Sequence, residues 1–420
     1  MRNPYPINPV LQALIQVWMS IFKRYYRIKA NIAHEIKHID TPYLLISNHV
    51  GRYDPFIVSS FFRRKPNFVS SDAVLRDRII GTLFKLLGAM PKRKGTRDTY
   101  IIREMRKVIE AGGSIALFPE GARTWSGTSL DIDPSIVKLI RLLKVPVITA
   151  KMKGAYCYDP RWAVHIRRSG FEIDYTLLLQ PEEIVSLTDE AIYAAILNHV
   201  QQDDIAWQEQ NKRAIESEKR AENIELILFA CPHCKSYDGF NSHENSFSCK
   251  NCNTTVEVDR YGFFSSPTID LPYSNTRDWM QWQNIMFVRH IFSHMKKGDL
   301  SKPFFTSVPV SISHATGMER LAEIGNGNLA FFADRLEIYS DGKTTTLPWD
   351  EVDMISPQYK DRLELTNIHN EAYRFTSYGP FEPGIKWELT LNAVRYFDGK
   401  HTKLSPHFKS LLEEAASILA

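Results

Sequence analysis

Two short stretches and one cysteine pattern hold the residues best suited to chemistry. In "ISNHVGRYDPF", residues 46–56, His49 and Asp54 stand five positions apart. Five residues of regular helix turn the chain by about 140°, so the two side chains would not share a helix face. They meet only where the chain bends between them, and Gly51 makes a bend easy. A neutral imidazole takes up a proton near neutral pH, and a carboxylate beside it orients the ring and stabilises the imidazolium. The second stretch, "LFPEGARTWSG" at 117–127, sets Glu120, Gly121 and Arg123 in one turn. An acid and a base beside a glycine suit a polar head group carrying hydroxyls and phosphate.

The cysteine pattern is "CPHC" followed by "CKNC", placing Cys231, Cys234, Cys249 and Cys252 in two Cys-x-x-Cys knuckles. Four thiolates at this spacing suit tetrahedral zinc with no open position, hence a structural rather than a catalytic ion. Two disulfides are the alternative, but the rest of the chain adds only Cys157 and nothing suggests export. His233 and His243 read as bystanders.

These residues need elements to place them. The apolar run "YLLIS" (43–47) ends just before His49, and Asp54-Pro55 reads as a helix start, with Asp at the N-cap and Pro at the first helical position. Strand, short loop and helix in that order put the loop at a strand's carboxyl end, where open α/β folds present chemistry. "SIALF" (114–118) leads into Glu120 in the same way, and "NFVSSD" (67–72) and "VPVITA" (145–150) are further short apolar runs. Helical patterns such as "TYIIREMRKVIEAGG" (99–113) alternate with them, which predicts an α/β domain. The charged, glycine-free segment 200–222 is predicted to be a helix closing that domain, and 276–297 a second long helix. From about 308 the pattern turns to strands, with a hairpin turn at Ser340–Lys343 and a closing helix at 384–397. The expected divisions are 1–222, the zinc-binding segment 223–265, a helical connector 266–300 and a small β-rich domain 301–420.

At 420 residues, 44% hydrophobic and 24% charged, the chain has an ordinary globular composition and room for two or three cores. A net charge of +4 is too small to argue for nucleic acid. Basic clusters at Arg63-Arg64-Lys65, Lys92-Arg93-Lys94 and Arg103/Arg106-Lys107 are either a solvated face or a surface for anions. No run of eighteen apolar residues is present, and the N-terminus is a poor secretory signal. Residues 10–28 carry an apolar stripe of Leu11, Leu14, Ile15, Trp18, Ile21, Phe22 and Tyr25, followed by Lys23, Arg24, Arg27 and Lys29. Such a helix either packs on its own domain or lies in a membrane interface. The expectation is a cytoplasmic, peripheral membrane protein.

The two loop motifs together closely resemble the glycerolipid acyltransferase family, which includes lysophosphatidic acid acyltransferases. Its first motif, Asn-His followed by four residues and Asp, is met by Asn48, His49 and Asp54. Its third, Phe-Pro-Glu-Gly-Thr-Arg-Ser, is met by Phe118, Pro119, Glu120, Gly121, Arg123 and Thr124, with Ala122 where Thr is usual. The fourth, an apolar segment around a proline, is matched by "VPVI" with Pro146. The second, Gly-x-x-Phe-x-x-Arg, finds its best register in "GAMPKRK", where Pro91 replaces Phe and Lys94, beside Arg93, falls at the Arg position. Lys cannot reproduce a bidentate guanidinium contact. The resemblance covers roughly 10–200, and it implies acyl transfer from a thioester, carried by acyl-CoA or an acyl-carrier protein, to a hydroxyl of a lysophospholipid such as 1-acylglycerol-3-phosphate.

By the same resemblance His49 is the general base, Asp54 its partner, and Glu120, Gly121 and Arg123 position the acceptor head group with a cation at 93 or 94. Residues 231–252 resemble a zinc ribbon, and the last 120 residues resemble a pleckstrin-homology-like or GRAM-like module. Two rivals stand beside this expectation: an acyltransferase with another acceptor, such as an amine-bearing lipid, and a zinc-ribbon adaptor with a degenerate acyltransferase domain. Intact His49, Asp54, Glu120 and Gly121 argue against degeneration.

Overall fold

The run Leu44-Leu45-Ile46-Ser47 is buried at every position, which a strand reaches only when both faces of its sheet are covered. The computed structural model describes residues 2–37, 39–92, 99–317, 319–358, 361–379 and 382–418. Two compact units emerge: Met1–Arg220 with Asp259–Phe263, and Ala221–Val258 with Phe264–Ala420.

Among its described residues, the first unit holds seven strands: β1 (Ile28–Ile32), β2 (Leu44–Ser47), β3 (Asn67–Ser71), β4 (Met90–Lys92), β5 (Ile115–Leu117), β6 (Val147–Lys153) and β7 (Phe171–Leu179). They form one sheet in the order β1-β7-β6-β2-β5-β3-β4. The five strands from β6 to β4 run parallel, whereas β7 is antiparallel to β6. Consequently the carboxyl ends of β2, β5 and β6 all open on the same side, and the loops after them can converge.

The helices are α1 (Pro9–Tyr25), α2 (Asp54–Ser59), α3 (Asp72–Leu75), α4 (Ile80–Leu86), α5 (Thr99–Glu110), α6 (Ile136–Leu143), α7 (Ala155–Tyr158), α8 (Pro181–Ser186), α9 (Asp189–Val200) and α10 (Asp204–Asn211). In α5 the residues Ile101, Met105 and Val108 recur at helical spacing and are buried with Ile115 and Leu117 of the sheet. Each such side chain contributes roughly 1.5–3 kcal/mol through removal from water. The predicted helix over 200–222 is shorter than expected. It ends when Lys212 takes a left-handed conformation (φ 46°), and the chain then runs on as loop, with Glu216 N–H donating to the Arg168 carbonyl at 3.1 Å. Charge alone, without apolar spacing, did not sustain the helix.

The second unit begins with a small antiparallel sheet of β8 (Phe240–His243), β9 (Ser246–Cys249), β10 (Thr255–Val258) and β11 (Phe264–Ser265). Next comes α11 (Thr276–Lys297), whose fully buried Trp279 packs on Phe240, Phe247 and Phe264. Strands β12 (Phe305–Thr306), β13 (Val310–Thr316), β14 (Ala322–Phe331), β15 (Arg335–Ser340), β16 (Lys343–Pro348), β17 (Val352–Pro357), β18 (Arg362–Asn367) and β19 (Glu371–Ser377) build an antiparallel sheet. The expected two-residue hairpin joins β15 to β16 through Asp341 and Gly342, both at positive φ. Helices α12 (Gly384–Phe397), as expected from the sequence, and α13 (Lys409–Ser417) close the unit.

Candidate active site

The loop from Asn48 to Asp54 leaves β2 at its carboxyl end and turns back on itself. Asn48 continues the sheet with its side chain: Nδ2 donates to the Met152 carbonyl at 2.9 Å, and Oδ1 accepts from Met152 N–H at 2.8 Å. His49 then stacks its ring on Phe118, centroids 4.2 Å apart, and brings Nδ1 to 2.8 Å from Asp54 Oδ2. The same Oδ2 accepts N–H of Val50 at 2.7 Å and of Gly51 at 2.8 Å. Asp54 is 1% exposed while His49 keeps 21% of its side-chain surface, so the carboxylate is enclosed and the imidazole reaches solvent.

Asp54 does not fill the N-cap place expected for it. The cap is Tyr53, Asp54 is the first residue of α2, and its carboxylate points back into the loop instead of forward over the helix end. Lys65 closes the other end of α2, its ammonium donating to the carbonyls of Ser59 and Phe62. Burial pulls this ammonium down to about 8.

The loop after β5 packs on this structure from the neighbouring strand. Glu120 is buried, with Oε1 accepting His49 N–H at 3.0 Å and Oε2 accepting Leu130 N–H at 2.8 Å. Thr124 N–H donates to the His49 carbonyl at 3.0 Å, so both backbone groups of His49 are held by the Glu120–Thr124 turn. Burial pushes the Glu120 carboxyl up to about 8, against the downward pull of the Leu130 and His49 amides. Gly121 is exposed with φ +71°, a conformation that disfavours any Cβ even though open space surrounds it. Arg123 is half-buried, and its carbonyl accepts from Arg161, whose guanidinium lies 3.5 Å over the Trp125 ring.

Thus His49, Asp54, Glu120, Gly121 and Arg123 converge. Pro146 does not join them: it precedes β6 at the amino end, where its carbonyl accepts Leu44 N–H at 2.9 Å. Arg93 and Lys94 lie outside the described residues. Sequence reasoning missed Arg52, Asp159 and Asp204. Asp159 follows α7 and pairs with Arg52 within the loop. Asp204, on α10, accepts N–H of Gly154 and Tyr156, both at 2.7 Å, and fixes α7; burial pushes its carboxyl up to about 6. Neither aspartate belongs to a local motif.

In the second unit the four predicted cysteines gather, with all four Sγ atoms within 4.8 Å of one another. Cys231 and Cys252 are 3.7 Å apart at sulfur, as are Cys234 and Cys249, too far for disulfides. Thiolates 2.3 Å from a tetrahedral centre stand about 3.8 Å apart, so the donor set fits zinc. His233 Nδ1 lies 3.3 Å from Thr254 Oγ1, beside the cluster.

Comparison with known proteins finds a family match for part of the chain. Residues 26–153 match the family described as Acyltransferase. Among solved structures, the 1-acyl-sn-glycerophosphate (LPA) acyltransferase PlsC from Thermotoga maritima aligns at 15% identity, over 48% of this chain and 80% of that one, with a TM-score of 0.40. The N-terminal PH domain of human ARAP2 aligns at 12% identity, over 22% of this chain and 80% of that one, with a TM-score of 0.18. No curated protein sequence matches the chain.

Proposed function

We propose that the first unit moves a fatty acyl group from an acyl thioester to the hydroxyl of a lysophospholipid, 1-acylglycerol-3-phosphate or a close relative, at a membrane surface. The observation that carries this is the 2.8 Å contact of His49 Nδ1 with an enclosed Asp54, inside the segment that matches an acyltransferase family. With Nδ1–H donating to Asp54, the ring's lone pair lies on Nε2. Nε2 takes the proton of the acceptor hydroxyl as its oxygen attacks the thioester carbonyl. Collapse of the tetrahedral intermediate breaks the carbon–sulfur bond, and the leaving thiolate takes the proton back from the imidazolium. The products are an ester and a free thiol, and no protein nucleophile is consumed. Glu120 serves the acceptor side by holding the turn that carries Gly121 and Arg123 against His49. Arg93 and Lys94 add cations for a phosphate.

The membrane face we assign is the outer side of α1 with α4. Val10, Leu14, Val17 and Ile21, spaced four, three and four residues apart, are exposed, as are Ile79, Leu83 and Leu86. Asn8 N–H donates to the Leu86 carbonyl at 2.9 Å, which joins the two stripes. Neither helix contains an acidic residue, and Arg24, Arg78 and Lys85 are exposed nearby. Such a surface suits the boundary of anionic lipid. Among the described residues, no helix is long and apolar enough to cross a membrane. We place the protein at the cytoplasmic side as a peripheral protein, with one structural Zn²⁺ on Cys231, Cys234, Cys249 and Cys252, and with a PH- or GRAM-like second unit.

The test is a matrix of acyl-CoA and acyl-carrier-protein donors against lysophospholipid and amine-bearing acceptors. Ester formation on a glycerophosphate acceptor is expected. Transfer to an amine alone would replace the acceptor, and no transfer to any would remove the activity.

A further inference from the structure

The residues from Asn48 to Asp54 carry the proposed chemistry, yet 48–53 bridge strand and helix as an irregular loop. A loop keeps one geometry only when its polar groups have fixed partners. Its two ends are secured by β6 through Asn48 and by α2 through Asp54. The middle is secured by a residue 107 positions away. Arg52 N–H donates to Asp159 Oδ2 at 2.7 Å, Nε lies 3.1 and 3.2 Å from the two carboxylate oxygens, and a terminal nitrogen reaches Oδ1 at 2.8 Å. The same guanidinium donates to the carbonyls of Ala163 and Val164.

Asp159 is 0% exposed, so water does not share in solvating its charge. Burial opposes the charge of Arg52, and Asp159 more than offsets that, leaving the guanidinium pKa raised. Ion pairs in such places add little net stability over an apolar pair, because desolvation cancels much of the attraction. What a bidentate pair does supply is direction. Here three consecutive amides are divided between two carboxylates, Val50 and Gly51 on Asp54 and Arg52 on Asp159. A Cβ on Gly51 would stand 3.0 Å from Asp159 Oδ2 and 3.1 Å from Asp54 Oδ1, so the two acids close on the turn from both sides.

We propose that Arg52 and Asp159 are positioning residues of the acyl-transfer site, a clamp in which a partly exposed guanidinium grips an enclosed carboxylate and fixes the turn on which His49 meets Asp54. This rests on the acyltransferase reading, in which the imidazole must face the acceptor hydroxyl. Neither residue touches a reacting atom; each acts through the loop.

The experiment compares full-length wild type with Asp159→Asn, which keeps shape and loses charge, and Arg52→Lys, which keeps charge and loses the fork. Steady-state kinetics are paired with ¹⁵N-histidine NMR of the His49 ring, assigned among the 13 histidines by its disappearance in His49→Ala. Each variant should lower kcat between about 10- and 100-fold with KM within about twofold, the scale of a modest misplacement of reacting groups. The double variant should fall no further than the worse single one, because the pair acts as a unit. The hydrogen-bonded Nδ1–H signal of wild type should exchange rapidly or vanish in both. A folded Asp159→Asn with wild-type kcat and an unchanged Nδ1–H signal would overturn the clamp. So would a raised KM at constant kcat, which would make Arg52 an acceptor-binding group. If Asp159→Asn fails to fold, Arg52→Lys reads the same quantities. If wild type transfers no acyl group, the acyltransferase reading fails, while the NMR signal still decides the clamp.

Discussion

The His49 loop and the four-cysteine cluster are both short polar motifs on turns, but they are held by different means. Around His49 the chain supplies its own counterweights. Asp54, Glu120 and Asp159 between them accept the amides of residues 49 to 52, and Thr124 donates to the His49 carbonyl. Around Cys231, the sulfurs face one another across 3.7 Å, and four thiolates so close repel unless a cation sits among them. One site is preorganised by buried acids; the other has the donor set of an ion site. The contrast also sets how far each can be read in a sequence. A metal site of two knuckles is written within residues 231–252, whereas a preorganised loop is completed by partners 71 and 107 positions distant.

Removing metal should break the second unit and spare the first. Zinc in small cysteine sites contributes on the order of 10 kcal/mol of folding free energy. The damage should spread beyond the knuckles, because Gln283 on α11 accepts from Phe229 N–H at 3.0 Å and Trp279 Nε1 donates to the Ala230 carbonyl at 3.0 Å. Lys386 of α12, 3% exposed, pairs with Asp238 between the knuckles at 2.7 Å. Hydrogen exchange after chelation should rise along 227–258 and into α11 and α12, with protection of the central strands β2, β5 and β6 unchanged. Equal deprotection of the two units would erase the distinction drawn here.

Within the first unit, α1 offers a way to separate packing from the proposed membrane face. Phe22 is buried and stacks near Tyr53, the residue before Asp54, with centroids 5.3 Å apart. Phe22→Ala should cost about 3–5 kcal/mol. Leu14→Ser with Val17→Ser should leave the melting temperature nearly unchanged and release protein from anionic vesicles in sedimentation assays. Vesicle binding that survives in the Leu14/Val17 variant would move the membrane face elsewhere.

Glu120 gives a smaller, pH-dependent effect. Its carboxyl is raised from 4.5 to about 8 in the folded chain. The protonated form is therefore the one that folding favours, so the linked stability is fully present below about pH 4.5 and is lost as pH rises through about 8. The slope is at most about 1.4 kcal/mol per pH unit. Melting curves from pH 5 to 9 should fall more steeply for wild type than for Glu120→Gln. Parallel curves would mean that Glu120 folds as an ordinary carboxylate.

The smallest effect concerns charge. Replacing Arg24, Arg78 and Lys85 with Gln should weaken vesicle binding by about 1 kcal/mol per residue at low salt and much less at high salt.

Much of the frame was legible. Unbroken apolar runs become strands buried on both faces, and the spacing of Ile101, Met105 and Val108 becomes the buried side of α5. What failed did so for physical reasons. The stripe expected on residues 10–28 mixes two faces: Phe22 turns inward, beside Met19, which the stripe left out, whereas Leu14 and Ile21 turn out. A helix apolar on both sides does not announce which one the core takes. Asp54 resembled a cap because Asp-Pro so often is one, and only the fold turned its carboxylate toward His49. Pro146 matched an apolar motif but sits at the amino end of β6, because a residue that opens a strand lies a strand's length from the loops that close it. Asp159, in "YDPRW", carries no local mark of its task.

The most direct measurement is the rate of acyl transfer by His49→Ala against wild type, using the best donor–acceptor pair from the matrix and protein of matched melting temperature. Loss of at least about 100-fold in kcat, the scale of a missing general base, is expected with zinc content unchanged at one ion per chain. A well-folded His49→Ala that transfers acyl groups at the wild-type rate would contradict the mechanism.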